Sequence, residues 1–319
     1  MRKVLLVISI VFCALGHASR AQSPHNSPHS ISGYTPHRVY DSREKRFADF
    51  ESMLASIVRA DIIFVGEQHD DPNTHRLERA LLEGFARRRS DIVVSLEMFE
   101  RDVQKGLDNY LAGRVTEEEF LKGARPWPRY ATDYRPLVEF ARAHKWQVIA
   151  GNVPRRHASL VSKSGVESLS TLSSAERGFV ATDIQCPTKD DYYKRFVEAM
   201  SSHPGQPQAS NAGQSKQPEA EMRAVTERMY ISQCVKDETM AESIAASYGA
   251  ELQPRPLTVH FNGAFHSDFA LGTASRVKRR LPKAVVKIVS IVPVANLDSI
   301  QPDEHRKRGD FVVFTLKKP

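Results

Sequence analysis

Short apolar runs that end in polar residues predict the strands of a sheet. Four such runs, rich in β-branched side chains, lie at residues 62–65, 92–96, 147–150 and 257–261. Each run is typical of a buried strand. Because polar residues appear only at the carboxyl ends of these runs, the pattern predicts an α/β fold, a mainly parallel central sheet with flanking helices.

Apolar residues at helical spacing predict the helices that cover this sheet. Leu77, Leu81 and Phe85 recur every four residues, after an N-cap aspartate and a proline at the first helical position. The same spacing predicts helices over residues 47–58 and 267–281. Two longer segments, at about 98–146 and 156–250, are expected to form an inserted helical subdomain, with a flexible loop at 201–218. Residues 311–316 are expected to form an edge strand.

Polar side chains follow all four predicted strands. They are Glu67 and His69 after the first strand, Glu97 after the second, Asn152 and Arg155 after the third, and His266 after the fourth. The carboxyl ends of neighbouring parallel strands meet at one edge of a sheet, where ligands usually bind. We therefore expect these side chains to face a common cleft.

The residue types in this cleft allow three interpretations. Two carboxylates and two histidines, Glu67, Glu97, His69 and His266, suit a divalent metal ion such as Zn²⁺ or Mn²⁺. Alternatively, a carboxylate acts as general base beside a bound metal ion. The third interpretation is a buried polar network that joins the strand ends and has no ligand.

A proline-rich loop at residues 125–136 is predicted to stand over the cleft as a wall or lid. Two prolines flank Trp127 and stiffen the chain, and two tyrosines and two arginines lie close by in sequence: Tyr130, Tyr134, Arg129 and Arg135. The alternative is an aromatic cluster that packs the helices together and does nothing else.

The N-terminus predicts export. Arg2 and Lys3 precede an uncharged apolar run to residue 16 and small residues up to Ala21, the layout of a secretory signal peptide over residues 1–21. Cys13 lies inside the apolar run, so a lipoprotein is not expected. The mature chain would be periplasmic or secreted, with a flexible linker at 22–37 and one domain at 38–319. Cleavage lowers the net charge from +7 to +4, and the sequence has no nucleic-acid-binding motif.

Two cysteines, Cys186 and Cys234, remain after the predicted cleavage. An even number of cysteines in an oxidising compartment favours a disulfide. Two buried free thiols are the alternative.

Five motifs in order resemble the ChaN-type haem-binding proteins, of the superfamily that includes the Tiki and TraB proteins and the erythromycin esterases. They are Val-Gly-Glu-Gln-His-Asp at 65–70, Ser-Leu-Glu-Met-Phe-Glu at 95–100, Asp-Tyr-Arg-Pro-Leu-Val-Glu at 133–139, Gly-Asn-Val-Pro-Arg at 151–155 and Phe-Asn-Gly-Ala-Phe-His at 261–266. The resemblance covers roughly residues 38–295. It implies haem binding in iron uptake, with a tyrosine ligand and dimers that can stack two haems. The Tiki and esterase branches imply hydrolysis instead, with Glu67, His69 and His266 as the catalytic residues.

The loop at 125–136 carries the chemistry that this resemblance implies. Tyr134, which belongs to the third motif, is the preferred phenolate ligand for ferric haem, and Tyr130 is the second choice. Arg129 and Arg135 would pair with the haem propionates, and Trp127 offers a flat apolar face. Asn152 and Arg155 complete the expected cofactor site. The expected partners are haem, a second copy of the chain, and an outer-membrane or periplasmic component of haem uptake. A metal-dependent hydrolase is the alternative.

Overall fold

A computed structural model describes residues 34–202, 219–249 and 255–318. The predicted signal peptide and most of the predicted linker and 201–218 loop lie outside these residues. The strands are β1 His37–Asp41, β2 Arg46–Ala48, β3 Ile62–Glu67, β4 Ile92–Glu100, β5 Gln147–Asn152, β6 Leu257–Gly263, β7 Val286–Val294 and β8 Phe311–Leu316.

Helices fill the segments between the strands. The α-helices are α1 Phe50–Ile57, α2 Pro72–Ala86, α3 Gln104–Leu111, α4 Glu117–Ala124, α5 Tyr130–Asp133, α6 Arg135–Ala143, α7 Arg155–Ser164, α8 Ser174–Arg177, α9 Asp191–Ser202, α10 Glu219–Ser247, α11 Gly272–Arg280 and α12 Pro302–His305. Short 3₁₀ helices cover Arg101–Val103, Val166–Thr171, Ala264–His266 and Asp268–Ala270. No helix in these described ranges is long and apolar enough to cross a membrane.

The eight strands form one sheet in the order β2-β1-β8-β7-β3-β6-β4-β5. The strands from β8 to β5 are all parallel, and β1 and β2 are an antiparallel hairpin at one end. The predicted mainly parallel sheet is therefore confirmed. The strand order places the carboxyl ends of β3, β6, β4 and β5 side by side, as the cleft requires.

Both faces of the sheet are covered, and β3 shows how. Its side chains alternate between two apolar clusters. Ile63 and Val65 lie in the larger cluster, with α1, α2 and the helices of the first insertion. Ile62 and Phe64 lie in a second cluster that includes residues of α10 and α11. Every residue of β3, including Glu67, is buried.

Two predicted elements near the chain ends are corrected by the structure. The helix predicted over 47–58 begins only at Phe50, because Arg46–Ala48 pairs with β1 as a strand and Asp49 caps the helix by accepting from the Ser52 amide. The strand at 311–316 is not an edge strand, because β8 lies between β7 and β1. The β1–β2 hairpin covers its outer side, which protects its backbone groups from pairing with another chain.

The helix predicted to start at residue 267 begins later. Phe269 and Ala270 adopt left-handed backbone conformations, with φ of 63° and 58°. An α-helix cannot continue through this geometry, so α11 starts at Gly272.

The predicted disulfide is present. Cys186 is bonded to Cys234, with a Cα–Cα distance of 5.8 Å. The bond fastens the segment before α9 to the middle of α10. It stabilises the part of α10 that reaches the candidate site.

Candidate functional site

Glu67, the last residue of β3, is at the centre of the candidate site. Its side chain is buried, and both of its hydrogen-bond donors use the same oxygen, Oε1. The Tyr134 hydroxyl donates to Oε1 over 3.0 Å, and the His69 Nδ1 atom also donates to it. Glu67 thus fixes the ring of His69, whose side chain is 46% exposed. This contact raises the pKa of His69, although burial works in the opposite direction.

A second histidine and a second glutamate lie behind Glu67, on α2. His75 Nδ1 is 2.8 Å from Glu78 Oε2 and 3.4 Å from Glu67 Oε2. Burial and the neighbouring Glu67 carboxylate raise the pKa of Glu78 well above its usual value. The sequence prediction missed both residues. Their spacing of three positions on a helix that follows the first strand would have been the only signal.

The ends of β4 and β6 carry a separate cluster around His266. Its Nδ1 atom donates to Asp237 over 2.7 Å, and its Nε2 atom lies 3.4 Å from Glu97 Oε1. The other oxygen of Glu97 accepts the Gly263 amide at 2.8 Å. Burial alone would lower the pKa of His266, but the two carboxylates raise it to about 10. His266 is therefore a buried imidazolium at neutral pH, flanked by two carboxylates whose pKa values are lowered mainly by its charge.

Asp237 is the residue of this cluster that the sequence prediction missed. It lies on α10, is fully buried, and accepts hydrogen bonds from Thr273 at 2.8 Å and Tyr192 at 2.6 Å. A lone aspartate in a 29-residue helix gives no sign in the sequence that it faces the sheet. These contacts hold the carboxylate in place for His266.

The 125–136 loop does reach the cleft, where it contacts His69. The Trp127 ring packs edge-on against the His69 ring with centroids 5.1 Å apart. Arg129 donates to the His69 carbonyl and forms an ion pair with Asp133 at 2.8 Å. His69, Trp127 and Arg129 together form a partly exposed surface, which we call the 69–129 surface.

The two tyrosines of the loop point inward. Tyr134 is 2% exposed and Tyr130 is 5% exposed. Burial raises the pKa of both hydroxyl groups, and for Tyr134 the negative charges of Glu67 and Glu78 add to the effect. The Tyr134 hydroxyl reaches Glu67 from the buried side of the site, and neither phenol is exposed to solvent in this conformation.

The remaining predicted cofactor residues have different surroundings. Arg135 pairs with Glu117 through two contacts of 2.6 and 2.9 Å, away from His69. Asn152 donates to the Glu97 carbonyl over 3.1 Å and is buried. Arg155 is exposed at the start of α7, and within the described part of the chain it has no carboxylate partner.

The hydrogen bonds and ion pairs among the four residues predicted to bind one metal ion join them as two pairs. Glu67 contacts His69, and Glu97 contacts His266. Among the described residues, the group with ligand atoms all within 4.8 Å of one another is Glu67, His75 and Glu78. His266 also lacks a free lone pair at neutral pH, which gives hydrolysis through His266 as a base little support.

Comparison with known proteins identifies the family. The model of the family described as "Haem-binding uptake, Tiki superfamily, ChaN" matches residues 53–277. The chain belongs to this family. No curated protein sequence matches it.

Among solved structures, ChaN of Campylobacter jejuni, which binds haem cofacially, has a TM-score of 0.62 at 15% identity, over 89% of this chain and 97% of that one. This match confirms the α/β fold. A mutant of the erythromycin esterase EreC in its open conformation gives a TM-score of 0.43 at 13% identity, over 88% of this chain and 83% of that one. The structure of the type III effector HopBA1 gives a TM-score of 0.43 at 8% identity, over 91% of this chain and 100% of that one.

Proposed function

We propose that the chain is an exported protein that binds ferric haem on the 69–129 surface and takes part in haem or iron uptake. Membership of the haem-binding family supports the cofactor. The observation that supports this surface as the haem-binding site is the exposed His69 side chain, which is fixed by Glu67 and packed against Trp127. It places an imidazole next to a flat apolar ring, and the Nε2 atom would have to turn away from Gly263 to reach the haem iron.

His69 is the proposed axial ligand, in place of Tyr134. A histidine ligand is oriented best when its other ring nitrogen donates to a carboxylate, and Glu67 accepts from His69 Nδ1 in this way. Tyr134 would have to leave Glu67 and lose its proton beside two carboxyl groups. That cost makes a phenolate ligand unfavourable in this conformation.

The haem propionates need cationic partners at the same edge of the sheet. Arg129 borders His69, although Asp133 already neutralises part of its charge. Arg155 follows β5 and is exposed, with no competing carboxylate in the described ranges. We propose Arg155 as the principal propionate partner, because a guanidinium can pair with a carboxylate through two hydrogen bonds.

Hemin titration followed by absorption spectroscopy tests the proposal. Wild type should give a saturable change, His69→Ala should lose it, and Tyr134→Phe should keep it. His144→Ala is the matched control, because His144 is an exposed histidine far along the first insertion. A spectrum lost in Tyr134→Phe and kept in His69→Ala would return the ligand to tyrosine. No saturable change in wild type would contradict haem binding itself.

A dimer follows from the exposure of the proposed haem surface. A haem ligated by His69 on a partly exposed surface would have one apolar face in water, which is unfavourable. A second copy of the chain with its own haem would cover that face. We expect hemin to convert monomer to dimer, as measured by light scattering after size exclusion, and Trp127→Ala to weaken the conversion.

Export is proposed from the charged, apolar and small-residue segments at the N-terminus. Intact-mass analysis of protein recovered from the periplasm should show cleavage near Ala21. Recovery of a chain that still begins at Met1 would contradict it. The uptake partner would then be sought among proteins of the same compartment.

A further inference from the structure

We propose that Glu67, His75 and Glu78 form a buried binding site for a divalent first-row transition metal ion. This site lies behind the 69–129 surface, and the proposal does not depend on haem binding. It also differs from the metal site predicted from the sequence, which consists of Glu67, His69, Glu97 and His266. The two sites share Glu67 alone. The other two residues of the proposed site come from α2.

The spacing of the ligand atoms suits a small metal ion. His75 Nδ1 is 2.8 Å from Glu78 Oε2 and 3.4 Å from Glu67 Oε2, and one ligand atom from each residue lies within 4.8 Å of the others. A tetrahedral Zn²⁺ ion has ligands at about 2.0–2.2 Å, which places the ligand atoms roughly 3.4 Å from one another. Small side-chain adjustments would bring the three residues to this spacing.

Two buried carboxyl oxygens have no hydrogen-bond donor in the described part of the chain, which leaves them available to a cation or to a proton. Glu67 Oε2 and Glu78 Oε1 have no hydrogen-bond partner among the described residues, although both side chains are completely buried. Buried polar atoms are almost always satisfied. Tyr134 and His69 both donate to the other oxygen of Glu67, so Oε2 is left for a ligand.

Contacts on the far side of His75 suit the form of the ring that binds metal. Its Nε2 atom lies 3.1 Å from the His69 carbonyl and 3.3 Å from Asp133 Oδ2. Both neighbours can accept a hydrogen bond from Nε2. In the tautomer with its proton on Nε2, the Nδ1 lone pair is directed at the two glutamates. A histidine whose second nitrogen donates to a carboxylate or carbonyl is the usual arrangement at protein metal sites.

The donor set favours Zn²⁺ over Ca²⁺ and Mg²⁺. Imidazole nitrogen and carboxylate oxygen are both ligands that Zn²⁺ binds in proteins. Ca²⁺ requires six to eight oxygen ligands, more than these three side chains supply. Between Zn²⁺ and Mn²⁺, mixed nitrogen and oxygen sites bind Zn²⁺ more tightly.

Metal analysis of the haem-free full chain, purified without a tag, tests the site. Protein stripped with chelator, incubated with Zn²⁺ and passed through gel filtration should retain about one Zn²⁺ per chain. Glu78→Gln has the same shape as wild type and should lose this stoichiometric binding. Asp133→Asn keeps all three ligands and should weaken Zn²⁺ binding about 10–100-fold, because Asp133 only positions His75.

Two controls separate this site from other metal-binding residues. Glu83→Gln changes a partly exposed carboxylate on the same helix and should bind Zn²⁺ as wild type does. The double variant His25→Ala, His29→Ala removes histidines outside the described residues and should also retain it. Zn²⁺ should raise the melting temperature of wild type but not of Glu78→Gln. The proposal is overturned if wild type retains no Zn²⁺ or Mn²⁺, or if folded Glu78→Gln binds as tightly as wild type.

Discussion

His266 Nδ1 lies 2.7 Å from Asp237 Oδ1, a contact between the 3₁₀ helix that follows β6 and a residue of α10 that is 29 positions earlier in the chain. Together with Glu97 it forms a buried charged group of one imidazolium and two carboxylates. Such a group is strongly destabilised when one partner is removed, because the remaining charge stays buried. The stability of the protein should therefore depend on the charge of His266.

The first prediction concerns alkaline pH. The pKa of His266 is raised from 6.5 to about 10, so its stabilising contribution is complete below pH 6.5 and is lost as the pH rises towards 10. The free energy of unfolding should fall by up to about 1.4 kcal/mol per pH unit in this window. Urea unfolding from pH 6 to 10 measures it. The free energy of unfolding of Asp237→Asn should fall less steeply with pH than that of wild type, whereas that of His144→Gln should fall as wild type does. Equal slopes for all three proteins would contradict the role of His266.

The second prediction concerns the space occupied by His69. A Cβ atom added at Gly263 would lie 2.7 Å from His69 Nε2, closer than atoms can pack. The backbone φ of Gly263 is −54°, which alanine adopts freely. Gly263→Ala should therefore displace the His69 ring, with little loss of stability because the ring is 46% exposed and can move. Hemin affinity should fall.

Gly123→Ala is the control for this substitution. No atom lies within 4 Å of a Cβ added at Gly123, and the residue is in α4. Alanine there should stabilise the protein by about 0.5–1 kcal/mol and leave hemin affinity unchanged. If Gly263→Ala binds hemin as wild type does, the His69 ligand assignment is in error.

The third prediction compares the two buried tyrosines. The Tyr134 hydroxyl donates to Glu67, whereas the Tyr130 hydroxyl has no partner within the described ranges. Tyr134→Phe should cost about 1.5–3 kcal/mol, the range for a hydrogen bond to a charged group. Tyr130→Phe removes an unsatisfied hydroxyl and should be neutral or stabilising. Chemical unfolding of both variants measures the difference, and equal costs would show that the hydroxyl contacts differ from those described.

The fourth prediction concerns the disulfide. Cys186 and Cys234 are 48 positions apart, and the chain-entropy model gives about 4 kcal/mol for closing such a loop. Replacing both cysteines with serine should lower the free energy of unfolding by up to that amount. Reducing agent should destabilise wild type similarly and leave the double variant unaffected. If reducing agent does not change the free energy of unfolding of wild type, the stabilising role of the disulfide is contradicted.

The sequence was sufficient to predict the four central strands that carry the site and their polar ends. Buried parallel strands are continuous apolar runs, so the positions of Glu67, Glu97 and His266 at one edge followed from the fold class alone. The sequence did not predict which side chains surround those three residues. Asp237 and His75 reach the site from helices whose packing is decided by tertiary contacts, and polar residues on such helices give no periodic signal.

The loop at 125–136 shows that the position of a segment can be predicted from its sequence when the directions of its side chains cannot. Its composition correctly indicated a segment that contacts the cleft, since Trp127 packs on His69. Composition does not determine which way each side chain points. Tyr134 turns inward because its hydroxyl can satisfy a buried carboxylate, and Arg135 turns away because Glu117 is close to it.

The position of β6 governs when the site can form during synthesis. β6 pairs with β3 on one side and β4 on the other, yet it is made long after both. Until Leu257–Gly263 has been synthesised, β3 and β4 each have an open edge where a foreign strand can bind. The site around Glu67 and Glu97 therefore assembles late. We expect chaperones that shield strand edges to bind the nascent chain until then.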